Sequence, residues 1–247
     1  VLYGQHKVDS GRPEFSGLNF SKMMQPVPAK AKFEDEQYFI WGGSMIRDDQ
    51  GIFHVYYSRW EKKYGFQSWV THSEIAHATA PGPFGPFTHQ DVVLPVRGEK
   101  YWDGMSTHNP TIHKFGNKFY LYYTGNTGDG ICTATLNFTH RNNQRIGVAV
   151  ATSPNGPWAR FDTPLIDISP DSLSHDALMV SNPSFTMRPE STFLLIYKAV
   201  GKKNKPPFGG PVVHLTATSD SPAGPFIKQQ VPVFTIKDVH FPAEDPY

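Results

Sequence analysis

Asn109-Pro110-Thr111-Ile112-His113-Lys114-Phe115-Gly116-Asn117-Lys118-Phe119-Tyr120-Leu121-Tyr122-Tyr123 is the stretch from which the fold is read. Thr111 to His113 is a short strand-like run opened by an Asn-Pro pair. Lys114 to Lys118 is a polar turn carrying Gly and Asn, as tight hairpins require. Phe119 to Tyr123 is an aromatic-rich return strand. The same unit recurs downstream: Asn182-Pro183 opens Ser184 to Met187, Arg188 to Thr192 turns, and Phe193-Leu194-Leu195-Ile196-Tyr197 returns. An earlier copy runs through Ser44-Met45-Ile46, the turn Arg47 to Gly51, and Ile52 to Tyr57.

A second mark repeats in phase with the first. Gly85-Pro86-Phe87, Gly156-Pro157-Trp158 and Gly224-Pro225-Phe226 stand 71 and 68 residues apart. Each follows an alternating segment: Ala76 to Thr79, Ala149 to Pro154, and Leu215 to Thr218. The openings Asn109-Pro110, Asn182-Pro183 and Asp245-Pro246 are spaced 73 and 63 apart. Each unit thus reads as four strands joined by turns, and no segment has a long 3.6-residue apolar period. The pattern predicts an all-β chain of four-stranded antiparallel blades, a β-propeller. A β-sandwich with chance repetition is the alternative, and three in-phase copies of two marks disfavour it. The expected organisation is an N-terminal extension over 1–40 and an incomplete propeller over 41–247. Its blades fall at 41–100, 101–172 and 173–240, with a fourth beginning at 241.

Composition narrows the function. Aromatic residues make up 14% of the 247, too many for a disordered chain. No apolar run approaches the roughly 20 residues of a spanning helix, so no membrane partner is expected. Cys132 is the one cysteine, which excludes a disulfide scaffold. With 23 basic against 22 acidic residues and no basic block, nucleic acid is not an expected partner. Val1 to Ser10 lacks the charged region and apolar core of an export signal; the expected location is nonetheless secreted or periplasmic. Among the 11 His no pair has zincin or finger spacing, so no catalytic transition metal is expected.

In a propeller the first strand of each blade lines the channel, and its opening residue faces the mouth. The openings read Trp41-Gly42-Gly43-Ser44, His108-Asn109-Pro110, Ser181-Asn182-Pro183 and Glu244-Asp245-Pro246. Pro keeps the preceding residue extended. Asn and Asp before Pro also serve simply as turn formers, but recurrence at one register favours the mouth for Asn109 and Asn182. For Asp245 the case is stronger, since a carboxylate near a ring axis is costly unless solvated or used.

The blade pattern, the Asn-Pro and Glu-Asp-Pro openings and the Gly-Pro-aromatic exits resemble the five-bladed propeller glycosidases. Glycoside hydrolase family 43, the family 117 anhydrogalactosidases and the family 32 and 68 fructosidases share this design. The resemblance covers Trp41 to Tyr247. It implies a five-bladed ring, of which this chain holds about three blades and the start of a fourth. At about 70 residues per blade, five blades need on the order of 350. The expectation is therefore an N-terminal part of a longer propeller, completed by the rest of its own chain or by a homo-oligomer partner. The resemblance also implies carboxylates on separate blade openings, with a His as acid in the family 117 relatives. The first-blade aspartate of family 43 is absent here, where Trp41-Gly42-Gly43-Ser44 stands.

Glycosidic cleavage needs one group to protonate the leaving oxygen and another to assist attack; a carboxyl separation of roughly 5 Å implies retention, a wider one inversion. Asp245 and Asp103 are the candidates for base or nucleophile, and Asp176 is the other carboxylate close to a blade opening. Glu244 or His240 is the candidate acid, since a His needs little tuning for that role; Glu244 equally fits a rim position binding a sugar hydroxyl. Lys198 ends an apolar strand, where it either meets a uronate or sulfate or snorkels to solvent. His108, Asn109, Asn182, His214 and His240 are candidate substrate ligands, and Trp41 and Trp102 candidate stacking platforms. No cofactor is required; a structural cation in the channel is allowed. The leading reading is an exo-acting glycoside hydrolase on plant or algal oligosaccharides. The alternatives are a non-catalytic glycan-binding propeller and a propeller phosphorylase, whose phosphate would need Arg59, Lys198 or Lys202.

Overall fold

The computed structural model describes residues 19–24 and 26–233. Twelve strands form among them: β1 Tyr38–Arg47, β2 Phe53–Glu61, β3 Glu74–Ala80, β4 Thr88–Leu94, β5 Ser106–Phe115, β6 Lys118–Asn126, β7 Arg145–Ala151, β8 Ala159–Arg160, β9 Met179–Met187, β10 Phe193–Val200, β11 Val212–Ser219 and β12 Ile227–Gln229. They pair as three antiparallel four-stranded sheets, β1-β2-β3-β4, β5-β6-β7-β8 and β9-β10-β11-β12. The α-helices among the described residues are short: Phe20–Met23, Trp69–His72 and Phe138–Asn142. The start of the fourth blade, at 241, lies outside the described residues.

β1 begins at Tyr38, ahead of the expected opening at Trp41, because Tyr38, Phe39 and Ile40 pair with Glu61, Trp60 and Arg59 of β2. The Arg59 guanidinium lies 4.3 Å from the Tyr38 ring centre, which secures that start.

The Gly-Pro-aromatic marks sit in the β3–β4, β7–β8 and β11–β12 connections, each with a cis Gly-Pro bond. Their rings join the packing: Trp158 meets Tyr56 of the preceding blade edge-on at 5.5 Å, and Phe226 meets Phe185 at 6.0 Å.

The middle blade packs against a neighbouring blade on each face, so β6 is buried without alternation from Leu121 to Asn126. Successive residues of a strand point to opposite faces. Tyr123 therefore packs with Tyr56, Ile75 and Leu94 toward the first blade. Its neighbour Tyr122 packs with Phe185, Leu195 and Tyr197 toward the third. The Tyr122 and Phe185 rings stack at 4.0 Å. Truncating an aromatic side chain in such a core to Ala costs about 3–5 kcal/mol. Each interface adds a hydroxyl latch: Tyr56 donates to the Pro154 carbonyl, and Tyr122 to the Pro222 carbonyl at 2.7 Å. On the inner side β5 packs against both β1 and β9. Ser44 Oγ accepts from the Ile112 N–H at 3.1 Å, and Thr111 Oγ1 donates to the Pro183 carbonyl at 2.8 Å.

Candidate active site

The inner strand of every blade is interrupted by a bulge at its opening. Trp41 pairs with Ser58, His108 with Thr124, and Ser181 with Lys198. After each of these pairs the register slips. Gly42, Asn109 and Asn182 occupy the slip with φ of 43°, 51° and 53°. This left-handed conformation suits Gly, and Asn among residues with a side chain. Such bulges bend a strand and re-aim its side chains. Neighbouring blades are tied at these points. The Asn109 N–H donates to Ser58 Oγ and the Asn182 N–H to Thr124 Oγ1, both at 2.9 Å. Lys198 holds the equivalent position in the third blade.

The three openings converge on one cavity of about 310 Å³. Trp41, Trp60, Phe66 and Trp69 supply its aromatic surface, and Asn109, Asn182, Ser181, His108 and Lys198 its polar surface. Trp41 is 54% exposed and meets Phe66 edge-on at 5.9 Å. The connection from β2 to β3 contributes Phe66, Trp69 and Ser73. The connection from β6 to β7 contributes Leu136 and Arg141. The latter is pinned by His140, whose Nδ1 lies 2.7 Å from Asn126 Oδ1 and whose Nε2 accepts from the Gly130 N–H at 2.8 Å. Arg141 donates to the Phe208 carbonyl at 2.8 Å.

His108 is buried, and Trp69 meets it edge-on at 5.1 Å. Burial lowers its pKa to about 4, the Lys198 charge adds to this, and the Asn109 side chain opposes it. The imidazole is therefore neutral at pH 7. Among the described residues, the Asn109 side chain is the one hydrogen-bonding neighbour of the ring, and the buried Ser73 hydroxyl has no hydrogen-bond partner. No Asp or Glu among the described residues lines the cavity.

Of the expected site residues, Trp41, His108, Asn109, Asn182 and Lys198 share this cavity. His214 pairs with Lys198 across β10 and β11, is buried, and does not line it. His240, Glu244 and Asp245 lie outside the described residues. Asp103 and Trp102 do not line the cavity; both sit at the interface between blades. Asp103 is fully buried; Arg97 Nε donates to it at 2.6 Å, the Tyr123 hydroxyl at 2.7 Å, and Arg160 Nη1 lies 3.4 Å away. Trp102 stacks on Tyr123 at 5.7 Å and donates to the Phe161 carbonyl. A side chain at Gly125 would strike Asp103, and one at Gly147 would strike the Trp102 ring, so both glycines keep this packing open. Asp176 repeats the motif in the third blade: it is fully buried and accepts from Lys228 at 2.7 Å, near Tyr197. Of the three cations considered for phosphate, only Lys198 reaches the cavity, and Arg59 is held by Glu74 at 2.9 Å.

Trp60, Phe66, Trp69, Ser73, Gln144 and Arg141 are lining residues that the repeat did not indicate. Among the described residues no three His, Cys, Asp or Glu side chains gather as a metal site requires.

No family model and no curated protein matches the sequence. Solved structures do match. Zg3597, a family 117 glycoside hydrolase produced by the marine bacterium Zobellia galactanivorans, superposes with a TM-score of 0.65 at 23% identity, over 81% of this chain and 58% of that one. BT0996, solved as an RGII complex, superposes with a TM-score of 0.58 at 15% identity, over the same shares. The chain thus spans 58% of the length of either. Three antiparallel blades around a shared cavity give this chain the fold of the β-propeller glycoside hydrolases.

Proposed function

We propose that the chain belongs to an exo-acting glycoside hydrolase that works on oligosaccharides from plant or algal polysaccharides. The observation that supports this is the cavity built from all three blade openings. At about 310 Å³ it is near the small end of ligand pockets, roughly 300–1,000 Å³, and suits a chain end better than a chain passing through. Aromatic rings suit the apolar face of a sugar, and the amides, hydroxyls and Lys198 suit its polar edge. Asp245 continues the Asn109 and Asn182 series in the sequence and is the proposed base or nucleophile. Glu244 or His240 is the proposed acid. The reading needs no cofactor, allows a structural cation in the channel, and fits a secreted or periplasmic protein.

The test is a screen of aryl glycosides and algal and plant oligosaccharides with wild type and Asp245→Asn. Turnover by wild type that is lost in Asp245→Asn supports the proposal. A sugar bound equally by both and cleaved by neither overturns it. That outcome belongs to a glycan-binding propeller, a second reading favoured by the lack of any carboxylate along the cavity among the described residues.

A further inference from the structure

Ser73 Oγ has no hydrogen-bond partner among the described residues, and the Asn109 side chain engages at most one of the two ring nitrogens of His108, so both residues bring unsatisfied polar atoms to one cavity. Both residues are about as buried as side chains become, at 1% and 2% exposure. They are held side by side. Ser73 closes the short helix Trp69–His72, and its carbonyl accepts from the Thr107 N–H at 2.9 Å, directly before His108. The Ser106 hydroxyl donates to the Trp69 carbonyl at 3.3 Å and fixes the other end of that helix against β5. Buried polar atoms are almost always satisfied, by protein, water or ligand. Ser73 Oγ and a His108 ring nitrogen left over within one ligand-sized cavity mark the place where a ligand group binds.

We propose that Ser73 and His108 form a subsite that grips one uncharged hydroxyl of the bound sugar. The proposal rests on the reading of the cavity as a sugar site and specifies what that site selects. A neutral imidazole presents one N–H and one lone pair. A hydroxyl both donates and accepts, so it can meet whichever ring nitrogen faces it, N–H or lone pair, with Ser73 Oγ free to take the complementary role. A carboxylate only accepts, so it is limited to the ring N–H. The low basicity of His108 in this setting keeps the ring in the form that the match requires. Trp69, edge-on to the imidazole, fixes its plane.

The experiment measures binding and not turnover, so it fails separately from the glycosidase reading. The full 247-residue chain is titrated calorimetrically at pH 7 with methyl galacto-, gluco-, xylo- and arabino-pyranosides and their monodeoxy analogues. The expected result is that at least one parent sugar binds. Removing one particular hydroxyl should weaken it about 5- to 150-fold, the cost of orphaning a buried partner. In His108→Leu the same deoxy change should cost less than about twofold. Ser73→Ala, which trims a single hydroxyl, gives the same comparison if His108→Leu does not fold. The proposal is overturned if no parent sugar binds, or if the deoxy penalty is the same in wild type and variants.

Discussion

Asp103→Asn is the substitution that most sharply separates an interface carboxylate from a catalytic one. Asn keeps the volume and leaves Tyr123 an acceptor, but removes the charge that Arg97 and Arg160 face. Breaking a buried pair in this way costs about 3–5 kcal/mol. For a chain of this size the urea dependence is near ~3 kcal/mol/M, so the unfolding midpoint should fall by about 1–1.7 M. Tryptophan fluorescence reads the transition directly, because Trp102 stacks on Tyr123 beside the carboxylate. Asp176→Asn is the internal control. Asp176 has one cationic partner, Lys228, with the Tyr197 hydroxyl beside it, where Asp103 faces two guanidiniums. One charge-assisted bond is worth about 1.5–3 kcal/mol, so its midpoint should fall by about 0.5–1 M. Tyr123→Phe combined with Asp103→Asn should show a coupling of about 0.5–3 kcal/mol. An Asp103→Asn protein that unfolds at the wild-type midpoint yet loses glycoside turnover would refute this reasoning and return Asp103 to the chemistry.

His108 makes stability fall with acid. Its folded pKa of about 4 lies below the unfolded value, so its contribution is intact above about pH 6.5 and is lost as pH falls toward 4. Its share is about 3 kcal/mol, and His108→Gln should flatten the slope of stability against pH between 5 and 6 by up to about 1.4 kcal/mol per unit, measured by urea melts across pH. Asn109→Val should lose about 1–3 kcal/mol more than Asn109→Gly in thermal unfolding, as Gly already occupies the equivalent φ at Gly42 and Val resists it. Trp41→Ala should leave the unfolding midpoint within about 0.5 kcal/mol, because the ring is mostly exposed, while sugar affinity drops about 2- to 13-fold by calorimetry.

The blades are legible in the sequence because they rest on local chemistry repeated at fixed intervals. Gly-Pro-aromatic turns and Asn-Pro openings keep their meaning whatever surrounds them. Asn109 and Asn182 are found for the same reason, although their left-handed backbone is not apparent until the register slip is seen. Trp69, Ser73 and Arg141 come from connections that do not repeat, and only closure of blade on blade brings them to the cavity. Asp103 misleads by its nearness in sequence to the second opening. A corrective signal was present in its own recurrence. Asp103 and Asp176 lie 73 residues apart, Tyr123 and Tyr197 74, and Arg160 and Lys228 68. A trio that repeats blade by blade belongs to the scaffold, whereas a single catalytic centre draws a different residue from each blade.

The ties that join neighbouring openings run through the main-chain N–H groups of Asn109 and Asn182 to the hydroxyls of Ser58 and Thr124. The opening thus carries one contact to the next blade that does not depend on which side chain stands there. One consequence is modularity: the group presented by one blade can be exchanged while this main-chain contact to the next is kept. Gly42, Asn109 and Asn182 already occupy one backbone geometry with two different residues. Selectivity in such a ring can be re-engineered one blade at a time, within the residue types that a left-handed backbone accepts.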